Sequence, residues 1–146
     1  MVTDANGLPL AVQTGRANQR DEGRAVPLLQ DIPPLPQVPG AVGGKPAVLQ
    51  GDRGYGFPWV IAAVVLPGVG SQLAERGKGK PHGSGLGRTR YVVERTLAWF
   101  SSFRRLKVCY ETSWHSWQGS HELAACVICA SRLHRLNHPP RPRRRL

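Results

Sequence analysis

Ala47-Val48-Leu49-Gln50-Gly51-Asp52-Arg53-Gly54-Tyr55-Gly56 is the stretch on which the fold turns. A short apolar run passes into a turn with three glycines, and an acid stands at the junction. The run reads as a strand, because a few apolar residues bounded by turn signals suit a buried strand. Phe57 to Leu66 follows as a buried helix, ended by Pro67-Gly68, and Val69 to Leu73 as another short strand. Its apolar core, Trp59 to Leu66, is far shorter than the ~20 residues that cross a bilayer.

Toward the N-terminus, Asp21 to Ile32 carries apolar residues at helical spacing, with Asp21 and Glu22 at the positive end of the dipole. Pro33-Pro34 stops it, and the Pro/Gly-rich chain up to Pro46 is a loop. Thr3-Asp4-Ala5-Asn6-Gly7 is a turn, and Leu8 to Thr14 reads as the strand after it. Asn-Gly between strands predicts a hairpin, since both residues tolerate positive φ. Only Met1 and Val2 remain for the hairpin's first strand, where about 5 residues are usual, so a piece of the domain is expected upstream of Met1.

Toward the C-terminus, Ala74 to Gly87 is a glycine-rich cationic loop. Thr89 to Phe103 reads as a helix with Val92, Val93, Leu97, Trp99, Phe100 and Phe103 on its apolar face, and Lys107 to Tyr110 as a short extension. Ser113 to Ser120 reads as irregular. His121 to Leu136 reads as a last amphipathic helix with Leu123, Ala124, Val127, Ile128, Ala130 and Leu133 inward. The order of elements is mixed α/β. One domain over residues 1–136 and a basic tail over 137–146 are expected.

The 146 residues carry a formal net charge of +11, unevenly placed. Residues 1–75 sum to −1 and residues 76–146 to +12. A near-neutral half joined to a strongly cationic one points to a polyanion, most often nucleic acid. The N-terminus has no basic-then-apolar pattern of a secretory signal. Three cysteines are too few for a disulfide scaffold and fit a reducing cytosol.

Asp52 and Glu94, 42 residues apart, are the first chemical candidates. An α/β sheet presents ligands outside the carboxyl ends of its strands, and small turn residues let a phosphate or a metal approach. Mg²⁺ takes oxygen ligands, using one or two carboxylates plus phosphate oxygens. Against that stands a structural reading, in which Asp52 caps a turn and Glu94 pairs with Arg90. Spacing alone leaves both open.

A cationic surface is the second candidate: Lys78, Lys80, His82, Arg88, Arg90, Arg95, Arg104, Arg105 and Lys107. Such groups neutralise phosphates and make affinity salt-dependent. Arg76 adds to this surface, and the tail arginines 141 and 143–145 are either a non-specific contact or a solvated end. Cys126-x-x-Cys129, with Cys109, His121 and His134, is the third. No second Cys pair exists, so a buried structural role is expected, and Ala125 stands where a metalloprotease motif needs histidine. Trp99 reads as core, whereas Trp114 and Trp117 are open between packing and base stacking.

Thr3-Asp4-Ala5-Asn6-Gly7-Leu8-Pro9, Leu49 to Tyr55, Arg90-Tyr91-Val92-Val93-Glu94-Arg95-Thr96 and Arg104-Arg105-Leu106 come in one order. That series resembles bacterial insertion-sequence transposases of the DDE type, from Val2 to about Leu136. The resemblance implies a ribonuclease-H-like mixed sheet with flanking helices. It implies a metal-dependent triad of two Asp and one Glu, loaded with Mg²⁺ or Mn²⁺, that cleaves and joins DNA at mobile-element ends. Asp52 matches the second Asp, Glu94 the Glu, and Arg90 an arginine of the signature. Gly87 and Ser101 stand where the broader signature carries Tyr and Lys. The first catalytic Asp, on the first strand, is expected before the hairpin turn and so upstream of Met1; Asp4 does not replace it. By this resemblance the chain is the C-terminal part of a transposase, inactive alone and possessing an upstream half. The expected partners are DNA ends and target, and further copies in the complete enzyme, with no membrane and with the cytoplasmic nucleoid as location. The alternative is a small basic DNA-binding protein with no catalysis.

Overall fold

Strand β1 (Val2–Thr3) pairs antiparallel with β2 (Pro9–Ala11), Val2 facing Ala11 and Thr3 facing Pro9. A computed structural model of the chain describes residues 1–16, 18–34, 44–73 and 87–138, with backbone alone for 87–90. The hairpin turn is built by Asp4, whose Oδ1 accepts from Asn6 N at 2.9 Å and from Leu8 N at 2.7 Å. A short acidic side chain that bonds the backbone ahead of it is a turn former. Gly7 completes the turn at φ +86°, a region where side chains with a Cβ are strained.

The expected helix over residues 21–32 is split. Asp21–Arg24 forms a 3-10 turn, and α1 covers Ala25–Gln30. Pro27 is the cause: its ring lacks an N–H and would strike the carbonyl of Gly23, four residues back, if one α-helix ran through both. The strands β3 (Val48–Gly51) and β4 (Gly70–Leu73) pair parallel, with α2 (Pro58–Val65) crossing between them. Pro58 starts α2 where its missing N–H costs nothing, and Gly68 at φ +84° follows its end. Val60 and Val64 lie fully buried and join Ala25, Val69 and Leu73 in one core cluster.

Helix α3 (Gly87–Phe100) leads into a single turn, α4 (Arg104–Lys107), and then into α5 (Trp114–Asn137). A second core cluster joins Phe100 of α3 to Ala124 and Ile128 of α5, with Met1 and Val12 of the hairpin against it. The molecule is therefore mixed α/β, as read. Among the described residues its four strands form two ribbons of two strands each.

Residues 113–120 were expected to be irregular and are not: all but Ser113 lie in α5. The serines are accommodated within the helix: Ser120 Oγ donates to Ser116 O at 2.9 Å, a back-bond that satisfies the hydroxyl without leaving the helical path. The inward face of α5 is also narrower than its composition suggests. Ala124 and Ile128 are buried four residues apart, whereas Leu123 and Leu133 are 66% and 60% exposed, and Val127 is exposed too. One position on a helix is a rotation of about 100°, enough to turn Leu123 and Val127 off the face that meets Phe100. Cys109 and Cys126 are exposed and Cys129 is half-buried, so the buried role expected of the cysteines does not hold. The loop over 74–86 and the chain from 139 onward lie outside the described residues. No described helix is long and apolar enough to cross a membrane.

Candidate functional site

Asp52 is the first residue beyond β3 and caps a 3-10 turn over Arg53–Tyr55. Its Oδ1 accepts from Arg53 N at 2.6 Å, and its carbonyl accepts from Tyr55 N at 2.9 Å. The capping role is thus real, and it holds an exposed carboxylate at the carboxyl end of a parallel strand. A cleft of about 750 Å³ lies there, and its lining includes Asp52, Gly54 and Tyr55 together with Arg16, Arg20, Asp21, Glu22 and Arg24. Tyr55 registers the acids around it. Burial first, then the charges of Asp21, Asp52 and Glu22, push its hydroxyl above the ordinary 10.0.

Glu94 does not line this cleft. It sits on α3, exposed, and the two residues after it lock α3 onto the hairpin. Arg95 Nη2 donates to Asn6 O at 2.7 Å, and Thr96 Oγ1 to Gly7 O at 2.7 Å. Two of the sequence blocks, Thr3–Pro9 and Arg90–Thr96, are therefore one packed unit. A Cβ on Gly7 would come within 2.8 Å of Thr96 Oγ1, so the glycine permits the approach. Among the described residues no group of three or more His, Cys, Asp or Glu side chains is gathered closely enough to hold a metal. Asp52 and Glu94 are both exposed carboxylates, the oxygen-donor type that a hard divalent cation takes.

The cationic residues separate into classes. Lys78, Lys80 and His82 lie outside the described residues, and Arg88 and Arg90 fall in the first turn of α3. Arg95 is committed to packing as well as charge: its guanidinium lies 5.6 Å from the Tyr91 ring and 5.2 Å from the Trp99 ring, besides bonding Asn6. Arg132 covers Trp99 at 4.4 Å, so Trp99 is a half-buried bed for two guanidiniums. Arg104, Arg105 and Lys107 line a concavity of about 540 Å³ with Val108 and Tyr110. Glu111 lies 3.7 Å from Arg105.

Trp117 packs within the protein and is half-buried. Its ring meets His121 edge-on at 4.6 Å, and His121 also stacks on Phe100 at 6.1 Å. Trp114 is half-exposed against His115. The cleft arginines, Arg16, Arg20 and Arg24, were not among the residues singled out. They stand in the half that sums to −1, where acids cancel them in a count. Their four-residue spacing was the available signal.

The sequence profile of the family described as "Transposase DDE domain" matches residues 1–129. The chain is also 39% identical over 135 residues to the putative transposase for insertion sequence element IS402 of Burkholderia cepacia. That match covers 92% of this chain and 63% of the relative, so the chain spans somewhat under two thirds of the relative's length. No solved structure matches.

Proposed function

The chain belongs to the DDE-type transposases of insertion sequences, and from that membership we propose that it is part of a metal-dependent catalytic domain that cleaves and joins phosphodiesters at mobile-element ends. A ribonuclease-H-like arrangement of its strands is part of the same reading. The observation that carries it is the position of Asp52, an exposed carboxylate held at the end of a parallel strand in a cleft lined by arginines and acids.

In this reading Asp52 and Glu94 hold Mg²⁺ or Mn²⁺ together with a third carboxylate. When bound, such an ion supplies charge stabilisation to the attacking and leaving oxygens of an in-line displacement. The chain's own residues do the rest. The Arg53 amide orients Asp52. The Arg95 and Thr96 bonds to the hairpin fix the helix that presents Glu94. Arg104, Arg105 and Lys107 bind backbone phosphates of the DNA, contacts that position it without reading its sequence. The element ends and the target DNA are the partners, and the complete enzyme works as a homo-oligomer.

Mn²⁺ titration of the 146-residue chain, paired with DNA-binding measurements in chelator, tests this. Asp52→Asn and Glu94→Gln are each expected to weaken Mn²⁺ binding while leaving metal-free DNA affinity in place. Mn²⁺ affinity that neither substitution changes, or a parent chain that binds no DNA, would overturn the reading.

A further inference from the structure

His134-Arg135-Leu136-Asn137-His138 closes α5 with two exposed histidines four residues apart. That spacing puts two side chains on one face of a helix, one turn from each other. The helical register runs on through His138, the C-cap residue, whose N–H donates to His134 O at 2.9 Å. The two imidazole rings stand 4.7 Å apart between centroids, tilted by 44°. The sequence from Leu123 to His138 contains no Asp or Glu that would pair with either ring along the helix. Both residues stay exposed in this contact, so it buries little apolar surface. When both rings are protonated, the spacing sets like charges against each other.

We propose that His134 and His138 form a two-imidazole site for a divalent transition-metal ion that prefers nitrogen ligands, the class of Zn²⁺, Ni²⁺ and Cu²⁺. Two histidines at i and i+4 on one helix face are the arrangement by which a helix chelates such an ion. The separation fits. With metal–nitrogen bonds of about 2.1 Å and angles at the ion of about 90–109°, the centroids of two rings sharing an ion lie about 4.5–5.1 Å apart. The observed 4.7 Å falls within that span. Exposed side chains change rotamer rapidly, so turning the ring nitrogens onto one ion costs little. The C-terminal end of a 24-residue helix adds a partial negative charge, which favours a cation there. Two protein ligands leave the remaining positions to water. The site differs in kind from the oxygen donors Asp52 and Glu94, which suit a harder ion. It is also separate from the thiols, since Cys129 turns to the hairpin, its Sγ donating to Pro9 O at 3.7 Å. The site stands whether or not the chain handles DNA.

The test is isothermal titration calorimetry of the full chain with Ni²⁺ in a non-coordinating buffer, with Mg²⁺ in large excess to occupy oxygen-donor sites. His134→Ala and His138→Ala are each expected to weaken Ni²⁺ binding at least about tenfold, because the second imidazole acts at high effective concentration once the first is bound. His138→Ala/Leu136→His keeps the number of histidines but sets the pair two residues apart, where side chains do not face each other, and is expected to bind as weakly as His138→Ala. His115→Ala, near the other end of α5, is expected to match the parent. All four substituted side chains are exposed, and thermal melts that match the parent show that each variant is folded. Parent-like Ni²⁺ affinity in either single variant of the pair, recovery in the two-apart variant, an equal loss in His115→Ala, or no Ni²⁺ binding by the parent would overturn the site. Each of these outcomes leaves the transposase reading standing, since that reading is tested at Asp52 and Glu94.

Discussion

Thr96 Oγ1 reaches Gly7 O at 2.7 Å across 89 residues of chain, and the same hydroxyl stands 3.0 Å from Val92 O within its own helix. Thr96 is 0% exposed and Gly7 is buried as well, so the Gly7 carbonyl has no water as a substitute there. The hairpin turn and the helix carrying Glu94 therefore hold one fixed relation, with the Arg95 bond to Asn6 O beside it.

Thr96→Val keeps the shape and removes the donor, which leaves Gly7 O buried without its partner. A cost of about 1–3 kcal/mol is expected, the usual penalty for an unsatisfied buried group. Thr96→Ser retains the hydroxyl and should recover most of it. Urea unfolding of the three proteins measures the difference, and equal midpoints for Val and Thr would show the bond to be idle.

Gly7→Ala meets two penalties. The backbone at φ +86° disfavours a Cβ, and that Cβ would lie 2.8 Å from Thr96 Oγ1. A loss of at least about 1 kcal/mol is expected from the conformation alone. Because the clash needs the hydroxyl, Gly7→Ala and Thr96→Ala together should cost less than the sum of the two, since touching residues couple. Additive losses would show that the two residues do not press on each other.

What could be read ahead of the structure follows physical lines. The turn at Asp4–Gly7, the strand before Asp52 and the proline-started α2 are local events, and local residues dictate them. Pro27 could have been given its weight beforehand too, since it forbids the continuous helix that the apolar spacing suggested. The cleft was hidden for a different reason. Net charge sums over a segment, and the arginines that line the cleft, Arg16, Arg20 and Arg24, share theirs with Asp21 and Glu22, which line it too. The onset of α5 at Trp114 was hidden because Ser, Gly and His are weak helix formers and the bonds of Gln118 to the hairpin are long-range. Asp52 and Glu94 were legible only as a pattern of motifs, since their spacing fits a capped turn and an ion pair equally well.

Tyr55 makes the acids of the cleft measurable. Burial, then Asp21, Asp52 and Glu22, raise its hydroxyl above 10.0. The native state therefore holds this proton more tightly than the unfolded chain. Its contribution to stability is complete below pH 10 and is lost as pH rises through the higher native value. In a tyrosinate absorbance titration, Tyr55→Phe should delete the late-titrating component. Asp52→Asn should shift that component down while keeping it above the ordinary value, because burial remains its larger cause. A late component untouched by Tyr55→Phe would contradict the assignment.

Gln118 is the tie between α5 and the hairpin, and it uses both ends of its amide. Its Oε1 accepts from Thr14 N at 2.7 Å and from Thr14 Oγ1 at 2.9 Å, while Nε2 donates to Val12 O at 2.7 Å and to Glu122 Oε1 at 2.8 Å. Thr14 is buried, so Gln118→Ala strands its groups, and a loss of about 2–4 kcal/mol is expected from two or more unsatisfied partners. Gln118→Glu separates the two ends. It keeps the acceptor for Thr14 but places a carboxylate against Val12 O and the Glu122 carboxylate, where a donor is needed. At neutral pH it should be no more stable than the Ala variant. Below about pH 4.3 a protonated Glu regains one O–H donor, so the gap to the parent should narrow. Melts of the three proteins at both pH values decide it, and a Glu variant as stable as the parent at pH 7 would mean that the donor side of Gln118 contributes nothing.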